Sequence, residues 1–299
     1  MISRIILQNF RLFKKADIQC NDKMNIFVGE NGAGKSTLLY AIGLVLKGSH
    51  SQIENLGLAS LFNSEVVSEF LIKKEIKNLP EVIVELYLDE SNKEISSNFY
   101  IEGNHNSQNI KTFGISLKIT PIKEMIDDIR QVLTTSNWSV FPFEYYKVQF
   151  LTFAGKSYTS YTRPFKFFYS IVNTSYIDTN NEIQKRINEV YLDKVSEENR
   201  AKVNHQYRLS TDDLLKELKK SSLIEDNQSD FSLHFDDSEN AFRNSISIVK
   251  NGIDIRNFGQ GEKVILAVEN AYKNLKDKVK ILIIEEPENH LSFQNLGGF

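Results

Sequence analysis

Apolar and polar residues alternate over short stretches near the start of the chain, which is the pattern of half-buried β-strands. These stretches are "SRIILQNF", "KADIQC" and "MNIFVGE". The third leads directly into "GENGAGKST", after which "TLLYAIGLVLKG" is apolar on nearly every face. We therefore predict three strands, a loop and a buried helix that stops at Gly48, because glycine suits a helix C-terminus.

The middle of the chain mixes strand-like and helix-like segments. Alternation predicts strands in "EVIVELYLD", "GISLKIT", "YYKVQFLTF" and "FFYSIVNTSYI". Helical spacing predicts helices in "IKEMIDDIRQVL", "NEIQKRINEVYLDKV" and "STDDLLKELKKSS". The last helix is expected to begin at Ser210, with Asp213 three residues later, as in a capping box.

The last part of the chain has a simpler order of hairpin, helix and strand. In "SISIVKNGIDIRNF" two alternating runs flank Asn251 and Gly252, a dipeptide that strongly favours a two-residue hairpin turn. "GQGEKVILAVENAYKNLK" follows with apolar residues at helical spacing, and "KILIIEE" has the pattern of a buried strand. Strands and helices that alternate around a glycine-rich loop predict an α/β sheet.

Composition narrows the class of protein. The 299 residues are 41% hydrophobic, which is enough for a sizeable core, and a net charge of −3 gives no overall attraction to nucleic acid. The single cysteine, Cys20, excludes a disulfide or a CxxC pair within this sequence. No apolar run reaches the roughly 18 residues that a membrane helix needs. We therefore expect a cytoplasmic protein with no membrane span.

The loop "GENGAGKST" fits the phosphate-binding pattern G-x-x-x-x-G-K-[ST] in full. Its glycines let backbone N–H groups face phosphate oxygens at a helix N-terminus. Lys35 is expected to neutralise the β- and γ-phosphates, Ser36 to bind Mg²⁺, and Thr37 to reach the α-phosphate. The predicted ATP-binding residues of this loop are Gly29, Glu30, Asn31, Gly32, Ala33, Gly34, Lys35, Ser36 and Thr37.

A pair of carboxylates follows the last apolar strand. A phosphate loop supplies no general base and no acid for the metal, so these must come from a neighbouring strand. Glu285 is expected to hold a Mg²⁺-bound water, and Glu286 to polarise the attacking water. Adjacent side chains of a strand point to opposite faces, but a turn at the strand end, forced by Pro287, can bring both to one metal.

The stretch "NFGQGEK" stands before the last predicted helix. Gly259 and Gly261 free the backbone, Gln260 offers an amide, and the helix start presents N–H groups, which together suit a γ-phosphate. Without the other two motifs, a plain glycine-rich connection explains these residues equally well.

The order and spacing of the three motifs resemble the ABC-type ATPase heads of the SMC, RecF and OLD (overcoming lysogenization defect) group. "IILQNFRLFKKADI" is similar to the opening strand and turn, "GENGAGKST" to Walker A, "FGQGEK" to the signature loop, "ILIIEE" to Walker B and "PENHL" to the D-loop. "EEPENHLS" looks most like OLD-family ATPases, including the Gabija-type antiphage endonucleases. The resemblance is specific at both ends of the chain and thin across residues 60–230.

The resemblance implies a P-loop NTPase with a mixed β-sheet and an inserted α+β lobe. We predict a single ATPase domain whose core comes from residues 1–60 and 231–299 and whose lobe comes from about residues 61–230. The implied assembly is a homodimer or higher homo-oligomer of heads, in which one signature loop closes over the partner's ATP. Arg11 either reaches the phosphates or is solvated, and His290 would lie at the dimer interface.

The implied function is an Mg-ATPase that gates DNA engagement or cleavage by an OLD-family nuclease, in DNA repair or phage defence. The alternative is a non-catalytic module that uses ATP only to clamp two heads together. Gly259 favours the alternative, because the group usually has serine there. The glutamine-loop residue is open between Gln149 and the turn around Asn173.

The resemblance also implies parts that this sequence does not contain, namely a further strand, a switch histidine and a TOPRIM nuclease domain. Two other acidic pairs, Asp127–Asp128 and Asp236–Asp237, have no partner motif and are expected to be solvated. Nuclease activity is therefore expected only of a longer parent protein.

Overall fold

The computed structural model describes residues 1–135, 140–164, 168–192, 194–223, 234–236, 238, 240–273 and 280–286. The strands are β1 (Ile2–Phe10), β2 (Phe13–Gln19), β3 (Val82–Leu88), β4 (Glu102–Gly103), β5 (Thr112–Pro121), β6 (Tyr146–Thr152), β7 (Phe168–Asn173), β8 (Val249–Lys250), β9 (Ile253–Asp254) and β10 (Lys280–Glu285). The helices are α1 (Lys35–Lys47), α2 (His50–Leu56), α3 (Ser64–Lys73), α4 (Lys93–Ser96), α5 (Ile126–Thr135), α6 (Thr179–Tyr191), α7 (Glu197–Lys220), α8 (Ala241–Ser245) and α9 (Gln260–Lys273).

The described residues form two compact units. The first comprises residues 1–171 and 280–283, and the second comprises residues 172–273 and 284–286. The division into a core and an inserted lobe at residues 61–230 stays a prediction.

The first unit is built on a six-stranded sheet with the order β2-β1-β3-β5-β4, in which β6 also pairs with β5. The registers of the pairs β1–β2, β1–β3, β3–β5, β4–β5 and β5–β6 are all antiparallel. Alternation sends Leu7, Val84 and Leu117 to one face, where they join the main hydrophobic core, while Ile6 and Tyr87 belong to a separate cluster. The strands predicted in "EVIVELYLD", "GISLKIT" and "YYKVQFLTF" are confirmed as β3, β5 and β6.

Helix α1 lies in the same core. Leu38, Ala41 and Val45 are buried there, as expected for a segment that is apolar on nearly every face. Gly48 ends the helix in the left-handed conformation at φ 63°, and its N–H donates to the carbonyl of Leu44 at 3.0 Å. The predicted helix and its glycine cap are confirmed.

The predicted strand "MNIFVGE" is wrong, because residues 24–30 adopt no strand conformation in the structure. Its alternating residues Met24, Ile26 and Val28 are 59%, 76% and 89% exposed. Alternation shows which side chains could share a face, but a strand also needs a neighbour that accepts and donates backbone hydrogen bonds. The segment enters the phosphate loop as irregular chain.

The second unit contains α6 to α9, the β8–β9 hairpin and a small core. Ile183, Ile187, Tyr191 and Ile255 form this core. The hairpin turns at Asn251 and Gly252 with φ values of 54° and 79°, as its sequence predicts. The predicted start of a helix at Ser210 is wrong, because α7 begins much earlier and Ser196 caps it by accepting from the N–H of Asn199.

Ser210 lies inside α7 and uses its hydroxyl differently. Its Oγ donates to the carbonyl of Gln206 at 2.9 Å, one turn back along the helix. A serine followed by an acid three residues later is therefore not sufficient to start a helix when helix-forming residues precede it.

Candidate functional site

The glycine-rich loop runs directly into the N-terminus of α1. Gly32 and Gly34 have φ values of 83° and 97°, a region that residues with a Cβ rarely adopt. Gly34 is the N-cap residue, and its carbonyl accepts from the N–H of Leu38 at 2.9 Å. A Cβ at Gly34 would lie 2.7 Å from Cζ of Phe13. Glycine is therefore needed at position 34, where the loop meets α1.

The side chain of Lys35 bonds to the loop itself. Its Nζ donates to the carbonyl of Gly29 at 2.6 Å and to that of Glu30 at 3.1 Å. These bonds hold the ammonium group across the loop, where a phosphate could take the place of the carbonyls. The role of Lys35 at the β- and γ-phosphates stays a prediction.

The other residues of the loop are open on one side. Glu30, Asn31, Gly32, Ala33 and Ser36 are exposed, whereas Thr37 is buried. An exposed hydroxyl one residue beyond the lysine is a suitable ligand for Mg²⁺, which prefers oxygen donors. The donors fit a Mg-nucleotide, although the roles of these residues stay predictions.

Arg11 lies in the turn between β1 and β2 and stacks on an aromatic ring of α1. Its guanidinium carbon is 4.1 Å from the ring centroid of Tyr40, and its Nε donates to the carbonyl of Ser60 at 3.3 Å. The side chain amide of Asn63 donates to the carbonyl of Arg11 at 2.6 Å. Arg11 is therefore held by several contacts, and contact with phosphate stays a prediction. Sequence reasoning missed Tyr40, since no motif marks it.

The carboxylate pair contacts three consecutive polar residues at the end of β7, where the chain turns. Asn173 Nδ2 donates to Glu285 Oε2 at 3.1 Å, and Ser175 Oγ donates to Glu286 Oε2 at 2.5 Å. Thr174 Oγ1 donates to the carbonyls of Glu285 at 3.1 Å and Glu286 at 2.5 Å. Both carboxylates therefore face the same turn, although they are neighbours at the end of a strand.

The backbone of Glu286 explains how the two side chains come together. Its φ of 54° lies in the left-handed region, which is uncommon for residues other than glycine. A left-handed residue after a strand breaks the alternation of side chains, so Glu285 and Glu286 no longer point to opposite faces. Pro287, which was predicted to force this turn, and His290 of the D-loop lie outside the described residues, as does Asp237.

Of the two candidates for the glutamine loop, the turn around Asn173 is the one in contact with the carboxylate pair. Gln149 lies inside β6, opposite Lys118 of β5. The sequence gives one indication of this turn, because the polar residues "NTS" follow an apolar stretch, as "EE" follows "ILII". Thr174 and Ser175 were missed because neither belongs to a motif.

The glycine-rich stretch of the predicted signature loop lies partly inside α9. The helix begins at Gln260, so Gln260 and Gly261 lie in its first turn, whereas the stretch was expected to precede the helix. A Cβ built on Gly259 meets no atom of the described residues within 4 Å, and the φ of Gly259 is not in the left-handed region. Nothing in the local structure therefore requires glycine at position 259.

Comparison with known proteins places the chain in a family. A family model described as an AAA domain matches residues 4–293. The chain belongs to the AAA domain family. The fold class predicted from the motifs, an α/β P-loop NTPase, is confirmed by this match and by the mixed α/β structure.

Curated relatives of this AAA domain include proteins named DNA replication and repair protein RecF. The chain is 46% identical over 41 residues to RecF of Glaesserella parasuis serovar 5 (strain SH0165), covering 14% of this chain and 11% of that protein. It is 30% identical over 105 residues to RecF of Francisella tularensis subsp. novicida (strain U112), covering 35% of this chain and 29% of that protein. The matches thus span less than a third of the relatives' own length.

A solved structure described as "Structural biochemistry of ATP-driven dimerization and DNA stimulated activation of SMC ATPases" is 18% identical to this AAA domain, with a TM-score of 0.26. The alignment covers 46% of this chain and 84% of that chain. Among the described residues, no helix is both long and apolar enough to cross a bilayer. In the same part of the chain, no three His, Cys, Asp or Glu side chains are grouped so that they could hold a metal ion.

Proposed function

We propose that this AAA domain binds Mg-ATP and hydrolyses it. The observation that carries the proposal is the complete phosphate loop, with Gly34 in the left-handed conformation at the start of α1 and Lys35 held across the loop. Backbone N–H groups and a lysine at a helix N-terminus form a site for a triphosphate.

Each predicted residue has a proposed task. Lys35 neutralises the β- and γ-phosphates, Ser36 and Glu285 hold the metal with its water, and Glu286 takes the proton of the attacking water. Magnesium, when bound, neutralises the charge that develops on the phosphate oxygens.

The decisive measurement combines ATP binding with ATP turnover in two variants. We expect Lys35→Ala to weaken ATP binding by about 10- to 100-fold, because a charge-assisted bond to phosphate is lost. We expect Glu286→Gln to bind ATP as the unchanged protein does and to lose turnover by about 100-fold or more. ATP that fails to bind the unchanged protein would end the proposal.

We further propose that the ATP state of this domain gates DNA engagement by an OLD-type nuclease, in DNA repair or phage defence. The RecF relatives, which are named for DNA replication and repair, and the motif "EEPENHLS" support this finer assignment. In this proposal two copies associate through ATP, with the signature loop around Gly259, Gln260 and Gly261 facing the partner's nucleotide. Light scattering of Glu286→Gln with and without ATP tests the association, and turnover with added duplex DNA tests the gating.

A second candidate is an ATP-dependent clamp with little turnover, and the absence of a hydroxyl at position 259 favours it. Since Gly259 has room for a side chain and an ordinary φ, Gly259→Ser should fold normally. For the ATPase, we expect the added hydroxyl to raise turnover severalfold while the control Gly259→Ala does not. Equal background rates in the unchanged protein, Gly259→Ser and Glu286→Gln would instead support the clamp.

A further inference from the structure

The polar turn Asn173–Thr174–Ser175 contacts both carboxylates through three consecutive residues. Asn173 binds the side chain of Glu285, Thr174 binds the backbone of both glutamates, and Ser175 binds the side chain of Glu286. We infer that this turn positions Glu285 and Glu286 for hydrolysis, with Ser175 directing the general base and Asn173 directing the metal-side carboxylate. The inference rests on the proposed ATPase function and assigns residues that lie outside the three motifs.

Asn173 is suited to its place because its amide serves two partners at once. Its Oδ1 accepts from the N–H of Ser175 at 2.9 Å, while its Nδ2 donates to Glu285 Oε2 at 3.1 Å. The N–H of Ser175 fixes which end of the amide carries the oxygen, and the nitrogen is thereby turned towards Glu285. An aspartate here could accept from Ser175 but could not donate to Glu285, and its charge would face another carboxylate.

Thr174 holds the backbone on which both glutamates sit. It is fully buried, its N–H donates to the carbonyl of Glu285 at 3.2 Å, and its hydroxyl reaches the carbonyl of Glu286. The left-handed conformation of Glu286 is unfavourable for a residue with a Cβ and persists only where surrounding contacts hold it. Thr174 therefore supports the structure of this strand end as well as its function.

Ser175 differs from Thr174 because it is exposed and bonds to the carboxylate rather than to the backbone. Glu286 is also exposed, so many orientations of its side chain are open to it in water. A short hydrogen bond from Ser175 Oγ to Oε2 selects one of them. A general base must lie within hydrogen-bond reach of the proton it takes, so orientation affects the rate of hydrolysis more than the binding of ATP.

The test compares Ser175→Ala with Ser175→Thr, which keeps a hydroxyl on the same carbon. We expect Ser175→Ala to lower kcat by about 10- to 100-fold with KM for ATP changed by less than about twofold. Ser175→Thr should recover most of the lost rate. The matched control is Ser91→Ala, since Ser91 Oγ also donates to an exposed carboxylate, Asp89 Oδ2, at 2.8 Å.

A second arm separates positioning from a general loss of structure. In the Glu286→Gln background, Ser175→Ala should cause no further loss of rate, because two residues that act as one unit are not additive. A full additional loss there, or unchanged kcat in Ser175→Ala alone, would overturn the inference while leaving the ATPase proposal intact if Glu286→Gln is inactive. An unchanged protein without turnover would count against both.

Asn173→Asp provides an independent check on the other carboxylate. We expect a loss of kcat at least as large as that of Ser175→Ala, together with a higher Mg²⁺ concentration for half-maximal rate, because the new charge faces Glu285. A normal rate and a normal Mg²⁺ requirement in this variant would overturn the role of Asn173. Thermal unfolding of each variant shows whether the fold is kept.

Discussion

The phosphate loop and the carboxylate end of β10 reach unusual backbone conformations by opposite means. In the loop, Gly34 adopts φ 97° and Lys35 bonds to a carbonyl only six residues away. At the carboxylate end, Glu286 adopts φ 54° and depends on side chains 111 and 112 residues earlier in the chain. Glycine permits a left-handed conformation by itself, whereas glutamate requires contacts from elsewhere in the fold.

The two regions should therefore tolerate different substitutions. A region that depends on local sequence should fail when its own residues change and should be insensitive to distant ones. A region that depends on distant contacts should fail when those contacts are removed, even if its own residues are intact.

The largest effect on stability is expected from Gly34→Ala. The new Cβ would lie 2.7 Å from Phe13 Cζ and would occupy a left-handed φ of 97°. Left-handed backbone and overpacking together predict a loss of about 2–4 kcal/mol in the free energy of unfolding, which denaturant titration measures.

Two further variants divide this loss between its causes. Gly252→Ala also places a Cβ at a left-handed φ, here 79°, but meets no atom of the described residues within 4 Å, so it should show only the conformational share of about 1 kcal/mol. Removing the ring in Phe13→Ala should make a subsequent Gly34→Ala less costly. Equal losses for Gly34→Ala and Gly252→Ala would show that the contact with Phe13 is not a constraint.

The next largest loss of stability is expected at Thr174, in the region that depends on contacts between residues distant in sequence. Thr174→Val keeps the shape but removes the hydroxyl that donates to the carbonyls of Glu285 and Glu286. Leaving these carbonyls without the hydroxyl donor of the buried Thr174 should cost about 1–2 kcal/mol in the free energy of unfolding. Thr174→Ser keeps the hydroxyl and should retain most of the stability, so equal losses in both variants would refute the role of these bonds.

Sequence reasoning succeeded where structure is set locally. The phosphate loop, the glycine cap at Gly48 and the turn at Asn251–Gly252 each follow from residues within a few positions of one another. The carboxylate pair could be found from "ILIIEE", but its geometry could not, because Thr174 and Ser175 are distant in sequence and belong to no pattern. The fold class followed from the order of motifs rather than from individual strands.

The errors have the same origin. The alternation of Met24, Ile26 and Val28 predicted a strand, yet pairing depends on a neighbouring strand that a local pattern does not specify. Ser210 matched a cap pattern, yet α7 had already begun at Glu197 and continues through it. In both cases a short sequence pattern was not sufficient, because the structure of the segment depends on residues outside the pattern.

A smaller effect, on ATP binding, is expected at Tyr40. Its ring contacts Arg11, although the two residues are distant in sequence. Arg11 stacks on the Tyr40 ring at 4.1 Å, and such cation–π contacts contribute about 0.5–1 kcal/mol at exposed sites. If Arg11 reaches phosphate, Tyr40→Leu should weaken ATP binding by about two- to fivefold through loss of its orientation. Tyr40→Phe keeps the ring and should bind normally.

Repeating the Tyr40 experiment in the Arg11→Ala variant shows whether Tyr40 acts through Arg11. There, Tyr40→Leu should no longer affect ATP binding, which titration with a fluorescent nucleotide measures. An undiminished effect of Tyr40→Leu in that background would mean that Tyr40 acts through the packing of α1 rather than through Arg11.

The smallest effect on stability is expected at the ion pair of Arg4 and Asp17. It serves as a reference against which the losses in the other two regions can be compared. Arg4 Nε and Nη2 donate to the two oxygens of Asp17 at 2.7 and 2.6 Å, but the Asp17 side chain is 43% exposed. The hydrogen bond from Arg4 lowers the pKa of Asp17. Solvent screening limits the pair to less than about 1 kcal/mol, so Asp17→Asn should cost no more than that at neutral pH.

The pH dependence of this difference has a defined sign. Because the folded pKa of Asp17 is depressed, its contribution is complete above the unfolded pKa of about 3.9 and is lost as the pH falls through the folded pKa. Denaturant titrations at neutral and acid pH should therefore show Asp17→Asn approaching the unchanged protein as pH falls. A loss at neutral pH as large as that of Thr174→Val would mean that this partly exposed ion pair stabilises the fold as much as the hydrogen bonds of Thr174 do. The expected order of the effects would then be wrong.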